Sequence, residues 1–197
     1  MHPTLLATLS IVSRSDSRAV RVAERAGAVA FVTVLTAIAA QISVPLPFTP
    51  VPLTLQPMAV LLGGAALGAR LGMTSQLAYL ALGIAGLPVF AASPALAQGP
   101  ARLLGPTGGY LMAYPIAAFV TGWLAERGFD RRYVTAVLAM SCGLIIIFAG
   151  GVLWLTRFMQ PAAALAAGLY PFIAEDIVKL LVAGAIMPAL WSLTRRT

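Results

Sequence analysis

Cysteine and histidine are almost missing from this chain of 197 residues, which has one of each. A lone Cys142, inside an apolar run, leaves no intrachain disulfide to form. A lone histidine at position 2, by the N-terminus, argues against a histidine-based metal site or a Ser-His-Asp arrangement. Charge is scarce as well: Asp, Glu, Lys and Arg make up 10% of the chain, against 60% hydrophobic residues and a mean hydropathy of +0.92. Soluble domains carry about 25% charged residues and about half or fewer apolar ones, so the composition indicates a protein integral to a bilayer. The net charge of +7 does not point to nucleic acid, because the arginines fall in short clusters between hydrophobic runs rather than in one patch. No Gly-Lys-Ser/Thr phosphate loop is present, so the chain has no nucleotide motif of its own. No internal repeat marks it as an inverted-repeat transporter. The opening "MHPTLLATLSIV" has no basic residues ahead of its apolar run and reads poorly as a signal peptide.

Long apolar runs are what the chain does have. Six fall near 26–42, 54–69, 71–87, 108–125, 133–154 and 171–193, several at the short end of the about 17–25 residues a membrane helix needs. The expected fold is an all-α integral membrane protein: a cytoplasmic N-terminal segment, 1–25, and a single six-transmembrane-helix bundle, 26–194. Fourteen prolines and eighteen glycines suit it, since broken or closely packed helices are tolerated in membranes. Six spans put both termini on one side. On that side fall Arg14, Arg18, Arg21, Arg25, Arg70, Arg127, Arg131, Arg132, Arg195 and Arg196; on the other, only Arg102 and Arg157. Positive residues stay inside, so both termini are expected in the cytoplasm. Three segments then face outward: "SVPLPFTPVPL", "PVFAASPALAQGPARLLGPT" and "TRFMQPAAALAAG". Loops this long in so compact a chain suggest a binding surface.

Three features carry candidate chemistry. The last span holds Glu175, Asp176 and Lys179, and on insertion scales each charge at a helix centre costs about 2.5–3.5 kcal/mol. Asp176 and Lys179, three apart, share a helix face, while Glu175 points about 100° away and reads as a residue near the headgroups. The pair either neutralises itself or marks an outward-facing polar site. The second feature is "LLGPTGGYL", where Pro106, Gly108 and Gly109 set a turn at a helix start beside Tyr110. The third is a stripe of small residues on the first span, Ala26, Ala30, Thr33 and Ala37, suited to internal packing or to docking another membrane protein. Gly64 and Gly68 form a GxxxG pair that reads as internal packing.

Taken together, "VPLPFTPVPLTLQ" (Val44–Gln56), "LALGIAGLPVF" (Leu80–Phe90), "LLGPTGGYL" (Leu103–Leu111) and "EDIVKL" (Glu175–Leu180) resemble the hallmark segments of the BioY family. Its members are biotin-binding S components of energy-coupling-factor (ECF) transporters. The resemblance covers about Val44 to Leu190. It implies a six-helix bundle whose outer loops close over biotin, with Asp176 and Lys179 in the site and Thr107, Gly108, Gly109 and Tyr110 at the glycine-tyrosine turn. Phe90 is expected to wall the ring. Family members often line the site with Asn and glycines after "LPVF"; here "AASPALAQGPARLL" lacks them, leaving Ser93 or Gln98 as substitutes. The resemblance further implies no catalytic residues, metal or cofactor, and a place in the bacterial cytoplasmic membrane. Its partners would be a transmembrane coupling protein, docked at Ala26 and Ala30, and ABC-type ATPases. Two alternatives stay open: an S component for another small vitamin, and an intramembrane enzyme using Asp176 beside Lys179.

Overall fold

A computed structural model describes residues 3–12, 17–92 and 97–194. It is mostly helical. The longer helices are α2 (Arg18–Gln41), α3 (Gln56–Leu67), α4 (Ala69–Ile84), α6 (Gly108–Ala125), α7 (Tyr133–Leu155) and α9 (Tyr170–Thr194). Three shorter ones, α1 (Leu5–Val12), α5 (Pro100–Leu104) and α8 (Pro161–Gly168), flank or connect them. Three stretches, Arg18–Gln41, Tyr133–Leu155 and Pro161–Thr194, are long and apolar enough on their own to cross a membrane. The second and third expected spans are shorter than their apolar runs. At about 1.5 Å per residue, α3 covers only about 18 Å and α4 about 24 Å.

These two short helices meet without a loop at Gly68, whose φ of +85° is open to glycine and rare for other residues. Glycines then bring α3, α4 and α6 together. A Cβ on Gly64 would sit 2.5 Å from the Ala118 carbonyl oxygen, and one on Gly72 would sit 2.8 Å from the Gly64 Cα. The Glu126 carboxylate, at the end of α6, accepts from the Ala69 N–H at 2.9 Å and so caps α4. Nearby, Trp191 Nε1 donates to the buried Asp130 at 2.6 Å, fastening the end of α9 to the short 3₁₀ turn after α6.

One departure from an all-helical fold sits at the opposite end. Ser43–Val44 (β1) pairs antiparallel with Leu53–Thr54 (β2), Ser43 opposite Thr54 and Val44 opposite Leu53. Strands of two residues leave no alternation to read, and the prolines between them (Pro45, Pro47, Pro50 and Pro52) hide the hairpin further. Thr49 Oγ1 donates to Ala167 O at 2.6 Å, tying the ribbon's tip to α8. Ser43 Oγ donates to Ala92 O at 3.0 Å, and Gln41 Nε2 donates to Pro88 O and Phe90 O. The three segments expected to face outward therefore meet as one cap over the helices.

Candidate functional site

Under that cap lies a cavity of about 50 Å³ whose lining comes from the ribbon, α3, α5, α6, α7 and α9. Its walls are largely apolar, with Val51, Pro52, Leu111, Ile147 and Phe172 among them, and its polar groups converge from separate elements. Lys179 is the hub. Its ammonium donates to Thr54 O at 2.5 Å, to Glu175 Oε1 at 2.7 Å and to Asp176 Oδ1 at 3.1 Å. Three bonds are all an ammonium can donate. The Asp176 side chain is 5% exposed and that of Lys179 12%, so each charge depends on the other for its place in a low-dielectric interior.

Glu175 joins this cluster, although helical spacing sets it about 100° from Asp176. Lys179 is long enough to bend toward both carboxylates, and the i,i+4 pair it makes with Glu175 is the shorter of the two.

A second cation faces the same cavity. Arg102, on the short helix α5, is 3% exposed. Its Nη2 donates to Ala91 O at 2.9 Å and its Nη1 to Ala97 O at 3.4 Å, while its buried Nε has no partner. Burial pushes the guanidinium down from its ordinary value, but an arginine begins so far above neutrality that it stays charged. Thr107 Oγ1, also in the lining, is buried and unpartnered too. Buried polar atoms are nearly always satisfied; these two belong to residues of the cavity lining and are free to meet a polar group there.

Tyrosines stiffen the frame. Gln56 Nε2 donates to Tyr79 Oη at 2.7 Å, and Tyr79 in turn donates to Val89 O at 3.0 Å. Tyr110 lines the cavity and donates to Gly168 O at 2.7 Å, which fixes its ring against the α8–α9 corner. Tyr114, one turn on, presents a second aromatic wall.

Of the residues singled out in the sequence, Asp176, Lys179, Tyr110 and Thr107 line this cavity. Gly108 and Gly109 do not; they allow close packing. A Cβ on Gly108 would run into the Leu103 carbonyl, and one on Gly109 into Trp154 and the Gly150 carbonyl. Phe90 also stands back from the cavity, packed edge-on to Tyr79 with ring centroids 5.6 Å apart. Ser93 lies outside the described residues. Gln98 is exposed and donates to Ala91 O at 3.4 Å. Nothing in the sequence assigned a binding role to Arg102, Gln56 or Tyr114, and Glu175, expected near the headgroups, instead joins the Lys179 cluster. Arg102 left one signal, as one of only two arginines in the outward segments.

The sequence model of the BioY family matches residues 12–196. The chain is 45% identical over 157 residues to a probable biotin transporter BioY from Pyrococcus horikoshii, an alignment covering 80% of this chain and 90% of that one. It is 40% identical over 155 residues to a biotin transporter BioY from Thermotoga maritima, covering 78% and 88% respectively. Its fold is similar to the crystal structure of the S-component for biotin from an ECF-type ABC transporter, with a TM-score of 0.79 and 28% identity over 90% of this chain and 95% of the other.

Proposed function

This chain belongs to the BioY family, and from that premise we propose that it captures biotin in the cavity around Asp176, Lys179 and Arg102 for uptake across the cytoplasmic membrane. The observation that carries the reading is an apolar enclosure onto which the charged cluster of α9 and the unmatched Arg102 Nε and Thr107 Oγ1 converge. Biotin brings two ureido N–H donors, a ureido carbonyl, an apolar bicyclic body and a carboxylate on a flexible chain. Asp176 accepts from a ureido N–H and Lys179 donates to the ureido oxygen. Arg102 Nε and Thr107 Oγ1 take the carboxylate, while Tyr110, Tyr114 and Phe172 hold the rings. Small-molecule sites usually enclose about 300–1,000 Å³, so ligand entry requires the cap to shift. The Lys179–Thr54 bond, which ties β2 to α9, is the contact to break.

BioY proteins are transport subunits, not enzymes, and no bond of the ligand is made or broken here. Six membrane spans with both termini in the cytoplasm account for the arginines at the Gly68 end of the bundle and for the capped cavity at the other. The energy comes from a transmembrane coupling protein docking at Ala26 and Ala30, and from ABC-type ATPases. Both alanines are exposed, which supports that role. The test is uptake of labelled biotin by cells lacking their own transporter. The chain with coupling subunits should accumulate unmodified biotin; accumulation of thiamine instead, or a chemically altered product, would refute the proposal.

A further inference from the structure

At the end of the bundle away from the biotin cavity, a groove of about 790 Å³ opens between α1, α2, α4 and α6. Its rim is basic, with Arg21, Arg25 and Arg70; its floor is apolar, with Leu67, Leu71, Phe119 and Trp123. Two acids also face it. Glu126 is engaged as the cap of α4, and Glu24 has an interaction of its own. Among the described residues neither Arg25 nor Arg70 makes an ion pair, and both are exposed. The floor does not end in water. Trp123, Ile116 and Met112 are exposed at helical spacing on α6, forming an apolar track that leads from the groove toward the middle of the bundle. At the groove itself the Arg127 guanidinium stacks on the Trp123 ring, 3.3 Å from its centroid. Tryptophan with arginine is the pairing found at the headgroup level of a bilayer.

We propose that this groove is a binding site for an anionic phospholipid, its phosphate held by Arg25 and Arg70 and one acyl chain lying along Phe119, Ile116 and Met112. The charge calls for an anion, and the continuous apolar track calls for one carrying a hydrocarbon chain. A free phosphate would satisfy only the rim. A coupling protein would satisfy the floor, but the small-residue face suited to close helix packing, Ala26 and Ala30, lies about 100–140° around α2 from Arg25. The inference requires that the chain sit in a bilayer, not that it bind biotin.

Native mass spectrometry of the detergent-purified protein, equilibrated with equal amounts of phosphatidylglycerol and phosphatidylcholine, tests it. The wild type should retain phosphatidylglycerol over phosphatidylcholine by about fivefold or more, and inorganic phosphate should not displace it. Arg25→Gln with Arg70→Gln should bring the ratio below about twofold while leaving biotin titration unchanged. Leu71→Trp, which fills the floor without altering charge, should reduce retention of both lipids. Equal retention of the two lipids by wild type, or a preference untouched by the double substitution, overturns the proposal. Loss of coupling-subunit copurification with lipid preference intact would make the groove a protein-docking surface and overturn it as well. Lipid retention is read without biotin, so a chain that bound no biotin would still report on the groove.

Discussion

All three N–H donors of Lys179 are engaged before any ligand arrives, on Thr54, Glu175 and Asp176. In the proposed site, recognition at this residue is an exchange, in which a ligand oxygen replaces the Thr54 carbonyl. Removing one member of a buried charge pair strands the other, commonly at about 3–5 kcal/mol. Lys179→Met and Asp176→Asn should each weaken biotin binding by about tenfold or more, and the double variant should fall short of the sum of the two. Glu175→Gln should give a smaller but measurable loss, because Glu175 holds Lys179 from a more exposed position. Arg102 is separable from this cluster by the ligand group proposed for it. Arg102→Gln should weaken biotin by about tenfold and biotin methyl ester hardly at all; equal losses for acid and ester would remove the carboxylate from Arg102. Asp176 and Lys179 were legible in the sequence because charge inside an apolar span is costly and needs a reason. Arg102 was not, since an arginine in an outward loop looks like a topological marker until α5 folds it beneath Ala91.

At the scale of the element, the small-residue stripe of α2 divides between exposed and buried positions. Ala26 and Ala30 are exposed, while Thr33 is buried and donates to Val29 O at 2.8 Å and to Ser75 O at 3.0 Å, joining α2 to α4. Ala30→Trp should therefore keep biotin affinity near wild type in titration yet lose copurification with coupling subunits and stimulated uptake. Collapse of binding and uptake together would make Ala30 an internal packing residue. Spacing alone put all four residues on one face; it carried no information about where along α2 its neighbours begin. The long helices were legible from their apolar runs, with α6 running Gly108–Ala125 and α7 Tyr133–Leu155. The ribbon, α5 and α8 were not, because two to eight residues held by contacts such as Thr49 to Ala167 have no period of their own.

For the whole molecule, the proposed orientation places the cap outside. In a Cys142→Ala background, a cysteine at Gln160 should react with an impermeant thiol reagent added to intact cells. One at Arg132 should react only after lysis; the reverse pattern would invert the direction of capture. In that orientation the three connecting segments lie on the ends of α6, α7 and α9, and charges from α5 and α9 share one enclosure. Isothermal titration of the purified, detergent-solubilised chain against biotin, with thiamine as control, tests that enclosure most directly. One saturable site is expected, with biotin bound in the nanomolar range typical of nearly complete ligand burial, at about −12 kcal/mol, and with no thiamine binding. Absence of saturable biotin binding in protein that remains monodisperse, or equal affinity for thiamine, would contradict it.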